Sequence, residues 1–328
     1  MTRATAVMFD APGNPEVLYL HEQALPALSD GQVLVAIQAA GVNFIDTYRR
    51  SGALDDGSAY PRGLGTEGAG EVIARAPDVT ELKVGDRVAF IDGSSGSYAS
   101  HAIVPAARVI RLDPEISFET AAAVMFKGIT AEYLTHRCVP LMTGDWVLWH
   151  AAAGGVGSIA TSWLAARGMK VIGLASTPAK RQAALNAGCI AALDNRDTST
   201  LQAIRELTDG RGVDVAFDSI GKDTVEFSLA SLRRRGQLVL FGNASGDVTG
   251  FNLSRLGALG SLHVTRPTLK HYVAERDELR MAARRVMDAL KTEQIKVPRI
   301  TSHDMADAGQ VHQLLHDRQT LGALILRP

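Results

Sequence analysis

The chain has 328 residues, with 34 Lys and Arg against 35 Asp and Glu, so its formal net charge is −1. That balance offers no global field for nucleic acid or an anionic membrane, and 46% hydrophobic with 21% charged residues is the composition of a soluble globular protein. The length exceeds what one small core organises, so two domains are expected. No apolar run approaches the ~20 residues of a membrane span. Met1 to Asp10 carry no secretory apolar core, and two cysteines, Cys138 and Cys189, make no disulfide framework. A cytoplasmic address is therefore the expectation.

In chain order, the first ~120 residues are expected to be strands and turns. Val33–Ile37, Gly70–Ala74 and Asp86–Phe90 are short apolar runs bounded by glycine, proline and aspartate. Only Ile45–Arg50 has a helical pattern there. The period changes at Ser117, a candidate N-cap for an alanine-rich helix. Strands are then predicted at 146–148, 170–174, 191–193, 213–217 and 237–241. Helices are predicted between them at 178–187, 198–208 and 223–233, with Pro178 in a first turn. Such alternation makes a parallel sheet with helices on both faces. Ser261–Thr265 is a further expected strand, Glu278–Lys291 a helix, and Ala323–Leu326 a closing strand.

Between the run Trp146-Val147-Leu148 and the apolar helix that starts at Ser158 lies Trp149-His150-Ala151-Ala152-Ala153-Gly154-Gly155-Val156-Gly157. Set against the dinucleotide fingerprint G-x-G-x-x-G, it has Ala152 in the first glycine position, then Gly154 and Gly157. A small residue permits the turn, Gly154 lets backbone approach a pyrophosphate, and Gly157 lets helix and strand pack closely. The helix then aims free N–H groups and its positive end at phosphate. NAD-selective folds end the next strand on an acid that binds the ribose 2′-OH. Here it ends Leu174-Ala175-Ser176-Thr177-Pro178-Ala179-Lys180-Arg181, without an acid. Ser176 and Lys180 suit a 2′-phosphate, each charge-assisted contact being worth about 1.5–3 kcal/mol, so NADP is expected over NAD.

Together with Gly41-Val42-Asn43-Phe44-Ile45-Asp46-Thr47-Tyr48-Arg49-Arg50-Ser51-Gly52, Phe241-Gly242-Asn243-Ala244-Ser245-Gly246 and Val264-Thr265-Arg266-Pro267, this turn resembles the zinc-independent quinone oxidoreductases. They are a branch of the medium-chain dehydrogenase/reductase superfamily that includes zeta-crystallin. The resemblance runs nearly end to end. It implies an α/β protein with a GroES-like, mostly-β catalytic domain (1–124 plus 267–328). A doubly wound Rossmann domain (125–266) is inserted into it. It further implies NADPH as cofactor, a quinone or other conjugated carbonyl as acceptor, and a homodimer.

Carried over by position, Asn43, Phe44, Ile45, Asp46, Thr47 and Tyr48 should line the nicotinamide cleft, with Asn43 and Tyr48 nearest the acceptor. Tyr133, Gly155 and Val156 should contact the cofactor. Ser176 and Lys180 should take the 2′-phosphate. Phe241, Gly242 and Asn243 should lie under the nicotinamide ribose, with Arg266, Pro267 and Arg318 completing the site. The family often has tyrosine where this chain has Leu54, and tyrosine near the adenosine where it has Asn195. The first departure bears on substrate choice, the second on cofactor grip. Asp55-Asp56-Gly57-Ser58 is expected to be a mobile loop at the cleft mouth.

The superfamily's zinc members need a thiolate where this chain has Asn43 and an imidazole where it has Thr66, and their structural lobe needs four cysteines. No zinc is expected. Glu67 becomes a candidate buried carboxylate, and His150 a satisfied structural histidine. Reduction of an activated alkene is an alternative that would use Tyr48 or Tyr60 as proton donor. Binding of single-stranded nucleic acid, or a structural crystallin role, is a third reading that balanced charge and the absence of RNA-recognition motifs disfavour.

Overall fold

The structure is a computed structural model that describes residues 2–54, 57–91 and 96–328. Its strands, in chain order, are β1 (Arg3–Phe9), β2 (Tyr19–Ala24), β3 (Gln32–Gly41), β4 (Arg62–Gly63), β5 (Glu67–Arg75), β6 (Arg87–Ile91), β7 (His101–Pro105) and β8 (Val109–Arg111). They continue as β9 (Trp146–Trp149), β10 (Lys170–Leu174), β11 (Ala191–Leu193), β12 (Val213–Asp218), β13 (Leu232–Leu240), β14 (His263–Thr265), β15 (Ile300–Asp304) and β16 (Ala323–Arg327). Two compact units result: Met1–Lys127 with Pro298–Pro328, and Gly128–Val297.

The first unit is the expected mostly-β one. Its main sheet runs β15-β16-β3-β5-β6-β8, with β7 also on β3, and a smaller sheet runs β2-β1-β4. Strand β3 is long and pairs with β16, β5 and β7; its residues are mostly small or aliphatic and buried almost throughout, which suits a pleated surface packed on both sides. Phe9, Val35, Phe90, Tyr98 and Leu326 belong to the core. Burial of such side chains is worth about 1.5–3 kcal/mol each.

The second unit is a six-stranded sheet in the order β11-β10-β9-β12-β13-β14, and every pairing in it is parallel. Both faces are covered, so the strands carry near-continuous apolar runs. Trp149 stacks on Phe217 across neighbouring strands at 4.6 Å between ring centres. Pro178 opens the helix Pro178–Ala187 and Gly188 ends it in the left-handed conformation, the asymmetry that pyrrolidine and glycine dictate.

Two readings of the sequence change. The helix expected over 223–233 is Val225–Ser231. Leu232 is already extended and pairs with Val213, and Arg233 turns to the Asp214 carboxylate. The segment 267–297, expected with the catalytic domain, groups with the nucleotide unit. Tyr272 stacks on Tyr133 at 4.5 Å, Arg285 pairs with Glu132 at 2.6 Å, and Lys296 donates to the Asn186 carbonyl at 2.7 Å. The chain therefore leaves this unit at Pro298. It enters at Gly128, inside the helix Phe118–Glu132, not at 125.

Candidate functional site

In a parallel sheet every strand delivers its following loop to the same edge, and ligands bind there. In the second unit this edge gathers the turn after β9, Ser176 and Lys180 after β10, Asn195 after β11, Phe241–Asn243 after β13, and Arg266 and Pro267 after β14. The fingerprint turn behaves as its residue types require. Gly154 caps the helix Gly155–Ala166. A Cβ on Gly157 would lie 2.4 Å from the Ala151 carbonyl oxygen, so only glycine permits this approach of helix to turn. Ala151 itself holds φ 51°, a left-handed conformation that is costly for alanine. The N–H groups of Gly155, Val156 and Gly157 have no intrahelical acceptor by helix geometry, and these residues are the partly exposed end of the turn or its floor. An anion fits there.

The corner beyond β10 is more basic than its first strand reveals. Thr177 caps the next helix by accepting from the Lys180 N–H at 3.3 Å, which sets Lys180 on the first turn. Arg196 donates to the Ser176 carbonyl and pairs with Asp194 at 3.3 Å. Arg181 pairs with the same carboxylate at 2.8 Å. Arg196 foremost holds the Asp194 carboxyl below its usual range. Arg196 was not anticipated from sequence, because it follows the third strand and reaches Ser176 only through the parallel pairing of β10 and β11. An acid does stand at this corner, but Asp194 is engaged by two guanidinium groups. Asn195 is exposed beside it.

Phe241 leans on Trp149 at 5.6 Å, and Gly242 lies so close to Ser219 that a Cβ would sit 2.3 Å from its carbonyl oxygen. Asn243 donates to Asp247 at 2.9 Å, and Arg266 donates to the Leu240 carbonyl at 3.2 Å. Tyr133, expected at the cofactor, is buried and stacked on Tyr272. His150 is the satisfied histidine expected of it: buried, 2.9 Å from Ser228 Oγ, with burial pushing its pKa down. Ser228 in turn donates to Asp218 at 2.7 Å.

The first unit holds the remaining candidates. Phe44 is exposed, and Ile45, Thr47 and Tyr48 are half-buried along the helix Phe44–Ser51. Asn43 and Asp46 face the interior instead. Asn43 donates its side-chain amide to Glu67 Oε2 at 3.0 Å. The same oxygen receives Lys127 Nζ at 3.1 Å, and Glu67 Oε1 accepts the Phe126 N–H at 2.6 Å. Asp46 accepts from the Asn43 N–H at 2.9 Å, Thr66 Oγ1 at 2.6 Å and Tyr98 Oη at 3.0 Å. Tyr98 continues to His312 Nε2 at 3.2 Å, and His312 Nδ1 meets Arg50 at 3.4 Å.

One proton assignment satisfies the whole chain of contacts. Arg50 donates to His312 Nδ1, His312 Nε2–H donates to Tyr98, and Tyr98 donates to an ionised Asp46. Burial holds His312 down to about 3, with Arg50 adding to the effect, so the imidazole is neutral as this assignment requires. Burial also raises the Asp46 carboxyl, against the lowering effect of Thr66, Asn43 and Arg49. Asp46 is thus a positioning group for the helix that carries Tyr48, not a surface for ligand. Nothing in the local sequence signals this, since Tyr98, in the segment before β7, and His312, in the helix Ala308–His316, lie far away along the chain. Arg318 lies exposed after the helix Ala308–His316 at φ 55°. Leu54 is exposed, its N–H bonded to the Tyr48 carbonyl at 3.0 Å. Of the expected loop beside it, Asp55 and Asp56 lie outside the described residues.

An alcohol dehydrogenase GroES-like domain model matches residues 29–114, and a zinc-binding dehydrogenase model matches residues 155–286. A quinone oxidoreductase of Pseudomonas aeruginosa is 42% identical over 325 residues, covering 99% of this chain and all of the relative. A 2-haloacrylate reductase of a Burkholderia species is 36% identical over 329 residues, 98% of each chain. The crystal structure of Escherichia coli quinone oxidoreductase complexed with NADPH superposes with a TM-score of 0.95 at 40% identity, over 99% of this chain and all of that one.

The name of the second model raises the question of zinc, which needs three or four N, S or O ligands. Both Glu67 oxygens are already taken by an amide, an N–H and an ammonium. Asn43 and Thr66 stand where a thiolate and imidazole would be required, and both are spent on internal hydrogen bonds. Among the described residues, no group of three or more His, Cys, Asp or Glu is placed to hold a metal. The donor set does not fit zinc.

Proposed function

The chain belongs to the quinone oxidoreductase family of the medium-chain dehydrogenase/reductase superfamily, and on that footing we propose that it is an NADPH-dependent, zinc-independent reductase of quinones acting by hydride transfer. The observation that carries the reading is full-length identity of 42% to a quinone oxidoreductase, joined to a basic corner at Ser176, Lys180 and Arg196. That corner suits a 2′-phosphate better than a bare ribose, which an unpaired acid would favour.

NADPH, when bound, supplies a hydride. A quinone is electrophilic enough to accept it without a Lewis acid, so the work left to the protein is orientation and exclusion of competing reactions. In this reading the glycine turn holds the pyrophosphate, Phe241–Asn243 support the nicotinamide ribose, and Tyr48 is the polar side chain on the acceptor side, with Asn43 turned inward at the start of its helix. Asn43 acts through its Glu67 contact, which fixes the amide plane. Tyr48 keeps a partly exposed side chain and is the proton donor of choice. The edge strand β14, with Val264 41% exposed, supports a homodimer, because an unpaired strand edge is satisfied by a second copy about a two-fold axis. Among the described residues no helix is long and apolar enough to cross a membrane. A cytoplasmic location remains part of the proposal.

Full-length identity of 36% to a 2-haloacrylate reductase supports a second reading, reduction of an activated alkene. There Tyr48 would protonate the carbon next to the carbonyl. Oxidation of NADPH and NADH should be followed with quinones, enals, enones and simple alcohols as acceptors. Turnover with quinones and NADPH is expected. Faster turnover with enones would favour the second reading, and activity with NADH alone would overturn the cofactor assignment.

A further inference from the structure

The opposite edge of the second unit's sheet, at the amino ends of its strands, holds a feature that hydride transfer does not use. Val213 pairs with Leu232 and Val215 with Gln237, so a single residue of β12, Asp214, faces four residues of β13. The extra residues form a bulge, Arg233-Arg234-Arg235-Gly236, in which Arg235 adopts φ 60°. A bulge re-aims side chains that a regular ladder would send to alternate faces. Arg233, Arg234 and Arg235 here line a cavity of about 630 Å³ together with Arg205 and Arg211. No carboxylate lines it, and its apolar wall is Leu232 and Leu259.

Three of the five guanidinium groups are fixed in place. Arg205 donates to the carbonyls of Arg211 at 3.1 Å and Ala230 at 2.6 Å. A Cβ on Gly212 would fall 2.8 Å from its Nη1, so glycine there leaves the group room. Arg211 and Arg233 both pair with Asp214, whose carboxyl these arginines hold below its usual range against the burial that raises it. Arg234 and Arg235 are exposed, and their side chains have no hydrogen-bond or ion-pair partner among the described residues. One carboxylate, Asp214, thus pairs with two of these five cations, in a chain whose net charge is −1. Such an excess, held at close quarters in a concave site, is costly until an anion enters, and planar guanidinium forks match phosphoryl oxygens in pairs.

We propose that this cavity is a second anion site, distinct from the glycine turn at the other end of the parallel strands, and that it takes a small ligand bearing two linked phosphoryl groups. Arg234 and Arg235 grip it, while Leu232 and Leu259 lie against an adjoining apolar part. The inference stands apart from the reductase reading, since the two sites occupy opposite edges of one sheet.

The test uses the full-length protein and inorganic pyrophosphate, with inorganic phosphate and sulfate as weaker arms, measured by calorimetry and by thermal shift. Pyrophosphate should bind and raise the melting temperature, more than phosphate does. R234A/R235A should weaken pyrophosphate binding at least about tenfold, the scale of lost charge-assisted contacts, and leave NADPH binding unchanged, which also reports that the variant is folded. R280A/R284A, a pair of equal charge on the exposed face of the helix Arg276–Lys291, controls for net charge and should bind as the parent does. Absence of pyrophosphate binding would overturn the proposal, as would equal loss in both double variants. Light scattering run alongside tests the remaining occupant, because Leu259 neighbours β14. If R234A/R235A changes the oligomeric state and not pyrophosphate affinity, the arginines serve a subunit contact and the anion site is refuted.

Discussion

Lys127 places its ammonium 3.1 Å from the Glu67 carboxylate with both side chains buried. Removing one member of such a pair leaves an uncompensated charge, which typically costs about 3–5 kcal/mol. Lys127→Met should therefore lower the urea midpoint sharply, and Glu67→Gln in the Lys127→Met background should recover much of the loss. Additive losses would mean that the two groups are not coupled. The same occupancy of Glu67 leads to the expectation that purified protein holds no stoichiometric zinc and that chelators leave turnover unaffected. Elemental analysis showing one zinc per chain would refute it.

The basic corner at β10 makes a cofactor prediction. Lys180→Ala should weaken NADPH by about tenfold or more, the scale of one charge-assisted contact, and leave NADH nearly unchanged. Arg196→Ala should act in the same direction, since it frees Asp194 to face the ribose. Fluorescence titration of both cofactors decides it, and equal losses for the two would remove the 2′-phosphate role.

His312 sets a pH dependence. An imidazole ordinarily titrates near 6.5, and burial holds this one down to about 3. Between those values the unfolded chain binds a proton that the folded chain refuses, so stability falls as pH drops through that window. The whole shift corresponds to at most about 4–5 kcal/mol. His312→Gln should be less stable at neutral pH, having lost the Tyr98 and Arg50 contacts. Its stability should fall less steeply on acidification than the parent's. His150 and His136 are displaced in the same direction by burial, so the slope shrinks without vanishing. Parallel urea titrations at neutral and mildly acidic pH measure the difference, and parallel curves would exclude His312 as its source.

Strand β14 bears on assembly. Val264→Lys puts a charge on an exposed edge position and should favour monomers, since charged edges resist pairing. Leu262→Pro is the harsher variant because Leu262 is buried in the core. A monomeric parent protein at micromolar concentration by light scattering would contradict the dimer.

Leu54 tests the acceptor side. With leucine in place of the family's tyrosine, bulky apolar acceptors should be preferred. Leu54→Tyr should shift relative kcat/KM between large and small quinones by roughly 1–3 kcal/mol, the scale of one pocket contact. NADPH affinity should barely move. An unchanged acceptor ranking with altered NADPH binding would reassign the position to the cofactor.

The nucleotide unit was legible because its signals are local. The fingerprint turn, Pro178 and Gly188 act within a few residues, and alternating apolar runs of strand and helix length admit few folds other than a parallel sheet. The edge that gathers Gly154, Ser176, Asn195 and Phe241 then follows from parallelism alone. What tertiary structure decided were contacts made across long sequence separations. Asn43 and Asp46 sit in a segment that reads as ligand-facing, yet they are turned inward by Glu67, Tyr98 and Thr66. Arg196 reaches Ser176 only because two strands align in register. The arginine bulge depends on a slip between β12 and β13 that no hydrophobic period encodes. Buried polar groups must find partners wherever the fold brings them. For that reason the helix and strand pattern was readable from residue order, while the roles of Asp46, Lys127 and His312 were settled by packing.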